Sequence, residues 1–175
     1  LKKLKVSKPK QVIDYDDLSK VKGIGMETDI PYKDSMFTVV SESFFFKPDH
    51  MGYISEKVFK PIIHKHPFIV FGSKGTLAYL QDWGFRTLAE TGFVDESYDS
   101  EPDHIKRYQM VMEQILFLCN LDEEKKFEFM FNAKKVVNHN FMHLKTFSIS
   151  NYNESFMGYL DLLRNRKEKK PLTLF

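Results

Sequence analysis

The run Phe68-Ile-Val-Phe71 is continuously apolar, with Pro67 before it and Gly72 after it. So short a run reads as a strand buried on both faces, the condition of a strand inside a parallel sheet covered by helices. Pro67 disfavours helix at the residue before it, so any helix upstream must stop there. That upstream stretch opens with Ile54-Ser-Glu-Lys57, where Ser55 can accept hydrogen bonds from the free backbone N–H groups of a first turn. A helix over 55–65 running into a strand at 68–71 is therefore expected. Pro61 removes one backbone donor from it and should bend it or delay its regular start.

The flanking sequence extends the pattern. Met36-Phe-Thr-Val-Val-Ser-Glu42 is rich in β-branched and aromatic residues and reads as a strand, followed by a turn carrying Pro48, Asp49 and Gly52. Gly72 and Gly75 flank a turn into a helix at about 76–82, with Leu77, Tyr79 and Leu80 facing inward; Gly84 stops it and Phe85–Leu88 reads as another strand. Such a βαβαβ succession implies an α/β fold: a single Rossmann-like domain with a small parallel sheet, followed by C-terminal helices. The expected helices run over 102–119, from Asp122 to about His139, and over 153–166. The first has Ser100 and Asp103 as a capping pair and Ile105, Tyr108, Val111, Met112, Ile115 and Cys119 on its inner face. Residues 1–35 are polar and irregular, with an edge strand conceivable around Val12 and Ile13, and the basic stretch 164–170 reads as solvated. The domain proper is thus 36–175, consistent with a length of 175 residues.

Composition narrows the function classes. With 42% hydrophobic residues, 17 Phe and 8 Tyr, the chain has the apolar content of a folded domain. Its net charge of +2 is too small for a dedicated nucleic-acid binder, although the lysines near the amino terminus and Arg164, Arg166, Lys167, Lys169 and Lys170 leave salt-dependent binding as a third reading. No apolar run reaches the roughly 18 residues of a membrane span, and Leu1-Lys-Lys-Leu-Lys5 lacks the apolar stretch of a signal peptide. The single cysteine, Cys119, lies in an apolar run and suggests a buried thiol in a reducing compartment. A soluble, cytoplasmic protein is expected. The chain begins without Met, as a processed or partial product would.

Chemistry concentrates at the start of the helix after the first strand. A helix N-terminus carries partial positive charge, so Ser55, the N–H groups beyond it and Lys57 can together attract a diphosphate, while Glu56 can accept from sugar hydroxyls. The rival reading is a capped surface helix with a solvated Glu56–Lys57 pair. The Gly72-Ser-Lys-Gly75 turn lacks P-loop spacing and bears on phosphate only as a strand-to-helix loop. His50, His64 and His66 point in different directions, and His139 and His143, although four apart, lack a third ligand; surface or capping roles fit them better than metal binding. Asp95, Glu96, Asp99, Glu101 and Asp103 read as a solvated loop and helix start, and Asp14-Tyr-Asp16 as a solvated turn. Phe44, Phe45 and Phe46 divide between core and surface.

The ordered blocks Val39-Val-Ser-Glu42, Ile54-Ser-Glu-Lys57, Lys60-Pro-Ile62, His66-Pro-Phe-Ile69, Gly75-Thr-Leu77, Tyr79-Leu80, Gly84-Phe85 and Asp95-Glu-Ser-Tyr-Asp99 resemble the carboxy-terminal half of GT-B-type glycosyltransferases. The likeness spans about residues 36–120 and is nearest the fucosyltransferase-like, phage- or virus-associated branch, which implies a virus-encoded protein in an infected cell as one source. It implies a donor-nucleotide site with Glu56 near the ribose, Lys57 near the diphosphate and Glu42 facing the same cleft, with Ser55, Lys60, Gly72 and Lys74 around it. It implies a nucleotide sugar as donor substrate, no required cofactor or metal, and an unknown sugar or protein acceptor. It also implies an acceptor domain that these residues do not contain, supplied by a missing segment or a second chain. The alternative is a non-catalytic α/β interaction module on the same scaffold.

Overall fold

The computed structural model describes residues 30–46 and 52–147. Their order is α1 (Ile30–Lys33), β1 (Thr38–Ser41), α2 (Glu56–Ile63), β2 (Phe68–Phe71), α3 (Thr76–Asp82), two 3-10 turns (Leu88–Thr91 and Ser97–Ser100), α4 (His104–Cys119) and α5 (Glu123–Thr146). The strands pair in parallel from Thr38 opposite Phe68 to Ser41 opposite Phe71. The fold is mixed α/β, with a two-stranded parallel sheet among the described residues. The stretch around Val12 and Ile13, the Asp14 and Asp16 pair, the basic termini, His50 and the helix expected over 153–166 lie outside them.

Phe68, Ile69 and Val70 are all buried, as a strand covered on both faces requires. Val58, Phe59 and Ile62 of α2, Leu77 and Leu80 of α3 and the inner stripe of α5 complete one core with them. That stripe, Phe129, Ala133, Val136, Val137, Asn140 and Leu144, recurs at three- and four-residue spacing. Helix α2 keeps Pro61 inside it and ends before Pro67 can act, because Lys65 turns into the left-handed region at φ 50°.

Phe85–Leu88 is not a strand. Phe85 is buried against the rings of Phe59, His143 and Phe147, and the chain then enters the turn Leu88–Thr91. Asn140 of α5 lies where a strand partner would be. Its Oδ1 accepts from Arg86 N at 2.7 Å and its Nδ2 donates to Arg86 O at 2.8 Å, so one side-chain amide satisfies both groups that a ladder would pair. The expected βαβαβ succession is therefore corrected to βαβα followed by helices.

Four helical expectations also change. Asp103, not Ser100, caps α4, accepting from Ile105 N and Lys106 N, while Ser100 closes a 3-10 turn. The inner face of α4 runs through Arg107, Val111 and Leu118, leaving Ile105, Tyr108 and Cys119 exposed, because a buried arginine takes the place expected of an apolar residue. Helix α5 continues to Thr146, seven residues past the expected His139, since Asn140 and Leu144 still face the core. Tyr79 of α3 is likewise exposed rather than inward.

His139 and His143 do act as caps, on a neighbouring helix. Their Nε2 atoms lie 3.0 Å from Gly84 O and 2.7 Å from Trp83 O, so each ring donates to a carbonyl at the end of α3. Phe45 is buried, Phe44 half-buried and Phe46 exposed, the division the sequence suggests.

Candidate functional site

In a parallel unit the carboxyl ends of both strands and the amino ends of the following helices share one edge, the edge at which α/β folds hold ligands. Here it carries Ser41, Glu42, Ser55 to Lys57 and the turn Gly72–Gly75. Glu42 continues β1 by donating its N–H to Phe71 O at 2.9 Å. Its side chain does not face a cleft as expected. It is 4% exposed and turned onto Ser55, accepting from Ser55 N at 2.7 Å and Ser55 Oγ at 2.6 Å.

Ser55 in turn caps α2, accepting from Lys57 N at 3.3 Å. A buried carboxylate thus fixes the hydroxyl, and the hydroxyl fixes the first turn. Lys57 sends its ammonium back to Ser41 O at 3.2 Å, which holds a cation on the rim beside the helix start. Glu56 opens the helix and is half-buried, and Lys60 stands one turn further along the same side.

The turn after β2 is built for close approach. A Cβ on Gly72 would lie 2.8 Å from Thr76 Oγ1, and Gly75 has φ 79°. Lys74 is half-buried within it, its carbonyl accepting from Gly52 N at 2.9 Å. The N–H groups of α3 are already used: Asp99 accepts from Leu77 N at 2.9 Å and Ala78 N at 3.0 Å, and its carbonyl accepts from Gly75 N at 2.8 Å. A side-chain carboxylate therefore holds the position assigned to phosphate near this turn. Of the two helix starts on the edge, only that of α2 combines a cap with a nearby lysine ammonium.

The acidic loop is accordingly not simply solvated. Asp95, Glu101 and Asp103 carry lowered pKa values, each chiefly from hydrogen bonds to its carboxylate. Asp99 is raised, mainly by burial. Burial pushes Glu96 up to about 7, even though Thr87 and the backbone N–H groups of Ala89 and Leu88 bond to it. Just before β2, burial lowers His66 from 6.5 to about 4.

These two groups give opposite pH dependences. Glu96 gives up its proton more readily unfolded, at 4.5, so its contribution is full below pH 4.5 and is lost as pH rises to 7. His66 takes up a proton more readily unfolded, so stability present above pH 6.5 is lost as pH falls towards 4. Glu96→Gln is expected to leave a curve that rises by about 2–3 kcal/mol more steeply than the native one between pH 4.5 and 7; His66→Gln should tilt it the other way by a similar amount. Urea denaturation midpoints at pH 4.5 and 7 measure both; parallel curves for the variants and the native protein would disprove the assignment.

Arg107 and Asp99 are the positioning residues that the sequence did not reveal. Arg107 is 3% exposed, donates to Phe45 O and Glu101 O at 2.7 Å each, and lies 4.8 Å from the Phe45 ring centre. Phe45 stacks on Phe71 at 4.0 Å, so this guanidinium ties the turn after β1 to the strand edge. The same turn carries Phe44 at φ 70°, a conformation costing a non-glycine residue about 1–2 kcal/mol. No motif surrounds Arg107, for which an arginine inside a helical apolar stripe was the one available signal; Asp99 ends the block Asp95-Glu-Ser-Tyr-Asp99, where the acidic cluster reads as solvated.

Among the described residues no group of His, Cys, Asp and Glu is arranged to hold a metal ion. At the opposite end of β2 a cavity of about 10 Å³ lies among Ile62, His66, Pro67 and Asn140, room for one water. No described helix is long and apolar enough to cross a membrane. No protein-family model, curated protein or solved structure matches the chain.

Proposed function

We propose that the carboxyl edge of the sheet binds the diphosphate of a nucleotide sugar, and that this Rossmann-like unit is the donor half of a glycosyltransferase. One observation carries the reading: Glu42 and Ser55 fix the start of α2 while the Lys57 ammonium is held 3.2 Å from Ser41 O on the same rim. A departing nucleoside diphosphate needs positive charge, and this rim offers it in the Lys57 ammonium and the positive end of the α2 dipole. Lys57 takes the diphosphate, Glu56 accepts from ribose hydroxyls, and Lys60 and Lys74 add positive charge around them. Glu42 acts from beneath, as a positioning residue. Transfer also needs a base for the acceptor hydroxyl, for which the acceptor side of the enzyme is responsible.

Calorimetry against nucleoside diphosphates and nucleotide sugars tests this. The native protein should bind at least one of them, and Lys57→Ala should weaken that binding about 10- to 100-fold, the worth of one charged hydrogen bond. A folded native protein that binds none of them would sink the reading. A second reading, a binding or interaction module without catalysis, is favoured by Asp99, which fills the α3 start where a second phosphate contact would fall. Donor binding without sugar transfer or donor hydrolysis would select it.

A further inference from the structure

Helix α5 has two faces, and the core uses only one. The other carries Glu124, Phe127, Glu128, Phe131, Lys134 and Lys135, all exposed and recurring at three- and four-residue spacing along a single stripe. Phe127 is 69% and Phe131 61% exposed. Each ring therefore leaves more than half of its roughly 200 Å² in water, a steep cost for two neighbours one turn apart. Among the described residues, no hydrogen bond or ion pair engages the side chains of Glu128, Lys134 or Lys135.

We propose that this face pairs with itself, antiparallel, in a second copy of the chain. The charge order selects that arrangement. Along the stripe the acids Glu124 and Glu128 come first and the bases Lys134 and Lys135 follow, with Phe131 between them. A two-fold axis at Phe131 stacks that ring on its symmetry mate. It brings Glu128 opposite Lys134 of the partner subunit, and by symmetry the same pair forms twice. Phe127 meets Lys135 of the partner subunit, a cation against an aromatic face. A parallel pairing would set Glu128 against its own copy and Lys134 against its own copy, which like charges oppose. The antiparallel overlap covers residues 123–139, about 25 Å of helix. One helix pair buries less than the ~800 Å² per partner of a standard interface, so the dimer is weak, with a Kd on the order of 10–100 µM.

Sedimentation equilibrium of the full chain from ~5 to ~500 µM is the test. The native mass should climb from the 20.7 kDa monomer towards twice that value. Glu128→Lys alone and Lys134→Glu alone should each weaken association at least about 10-fold, since each turns both 128–134 pairs across the axis from attracting to repelling. The two residues are six apart and do not face each other within one helix, and neither change removes a hydrogen bond or ion pair among the described residues. An equimolar mixture of the two variants should associate again, because every cross-axis pair is then of opposite charge. A native chain that stays at 20.7 kDa throughout, variants that associate like the native protein, or a mixture that stays monomeric would each overturn the proposal.

Discussion

Glu42→Ala is expected to destabilise the protein by about 3 kcal/mol, the larger part of it through the start of α2. Hydrogen bonds to a charged group contribute about 1.5–3 kcal/mol each, and this carboxylate accepts two, at 2.6 and 2.7 Å, in a position 4% exposed. Removing it leaves Ser55 N without its acceptor beneath the helix, and the cap that Ser55 gives Lys57 N loses its support. Glu42→Gln keeps one acceptor and should cost about 1 kcal/mol less. Chemical denaturation gives both values. A double-mutant cycle with Ser55→Ala separates this network from general core damage: the two residues should couple by about 1.5–3 kcal/mol. Additive losses would show that Glu42 acts independently of the cap. The proposed donor site depends on this result, because Lys57 is aimed by a helix start that Glu42 holds.

Asn140→Leu is the second large effect, at about 2–3 kcal/mol. Leucine matches the volume and fits the apolar surroundings, so a packing account predicts little change. The polar account predicts the opposite. Asn140 is 1% exposed and is the partner of both backbone groups of Arg86, which the substitution leaves unsatisfied beside an apolar side chain. Hydrogen exchange at the Arg86 amide supplies a local readout: its protection should fall in the variant by more than that of the α2 amides. Unchanged stability would mean that water replaces the amide without cost.

The sequence was most legible where a residue acts on its own backbone. Phe68–Phe71, α3 and the Gly84 stop came out at the expected positions, because Pro67, Gly72, Gly75 and Gly84 set local conformation by themselves. The Ser55 cap and the capping role of His139 and His143 were legible for related reasons, one from its place before Glu56 and the other from the lack of a third ligand. Phe85–Leu88 misled because its hydrophobic pattern suits a strand equally well. What decided against one was a single asparagine 54 positions later in the chain. Cys119 misled because an apolar run on a helix contains residues on every side, and its register depends on which of them the core accepts.

The candidate site divides in the same way. Ser55, Glu56 and Lys57 could be named in advance, since a strand followed by a polar cap and a basic first turn is a local signature of an anion-accepting helix start, whereas Lys60, Gly72 and Lys74 came only from the resemblance. The sequence alone therefore determined one parallel strand–helix–strand unit and the edge on which its polar residues lie. Tertiary structure decided that Glu42 holds the cap from below, that Asp99 occupies the start of α3, and that Arg107 fastens the Phe45 turn. Glu42, Asp99 and Arg107 each bond to groups 13 to 62 residues away, and a buried charge takes its role from the partners that surround it, which only folding brings together.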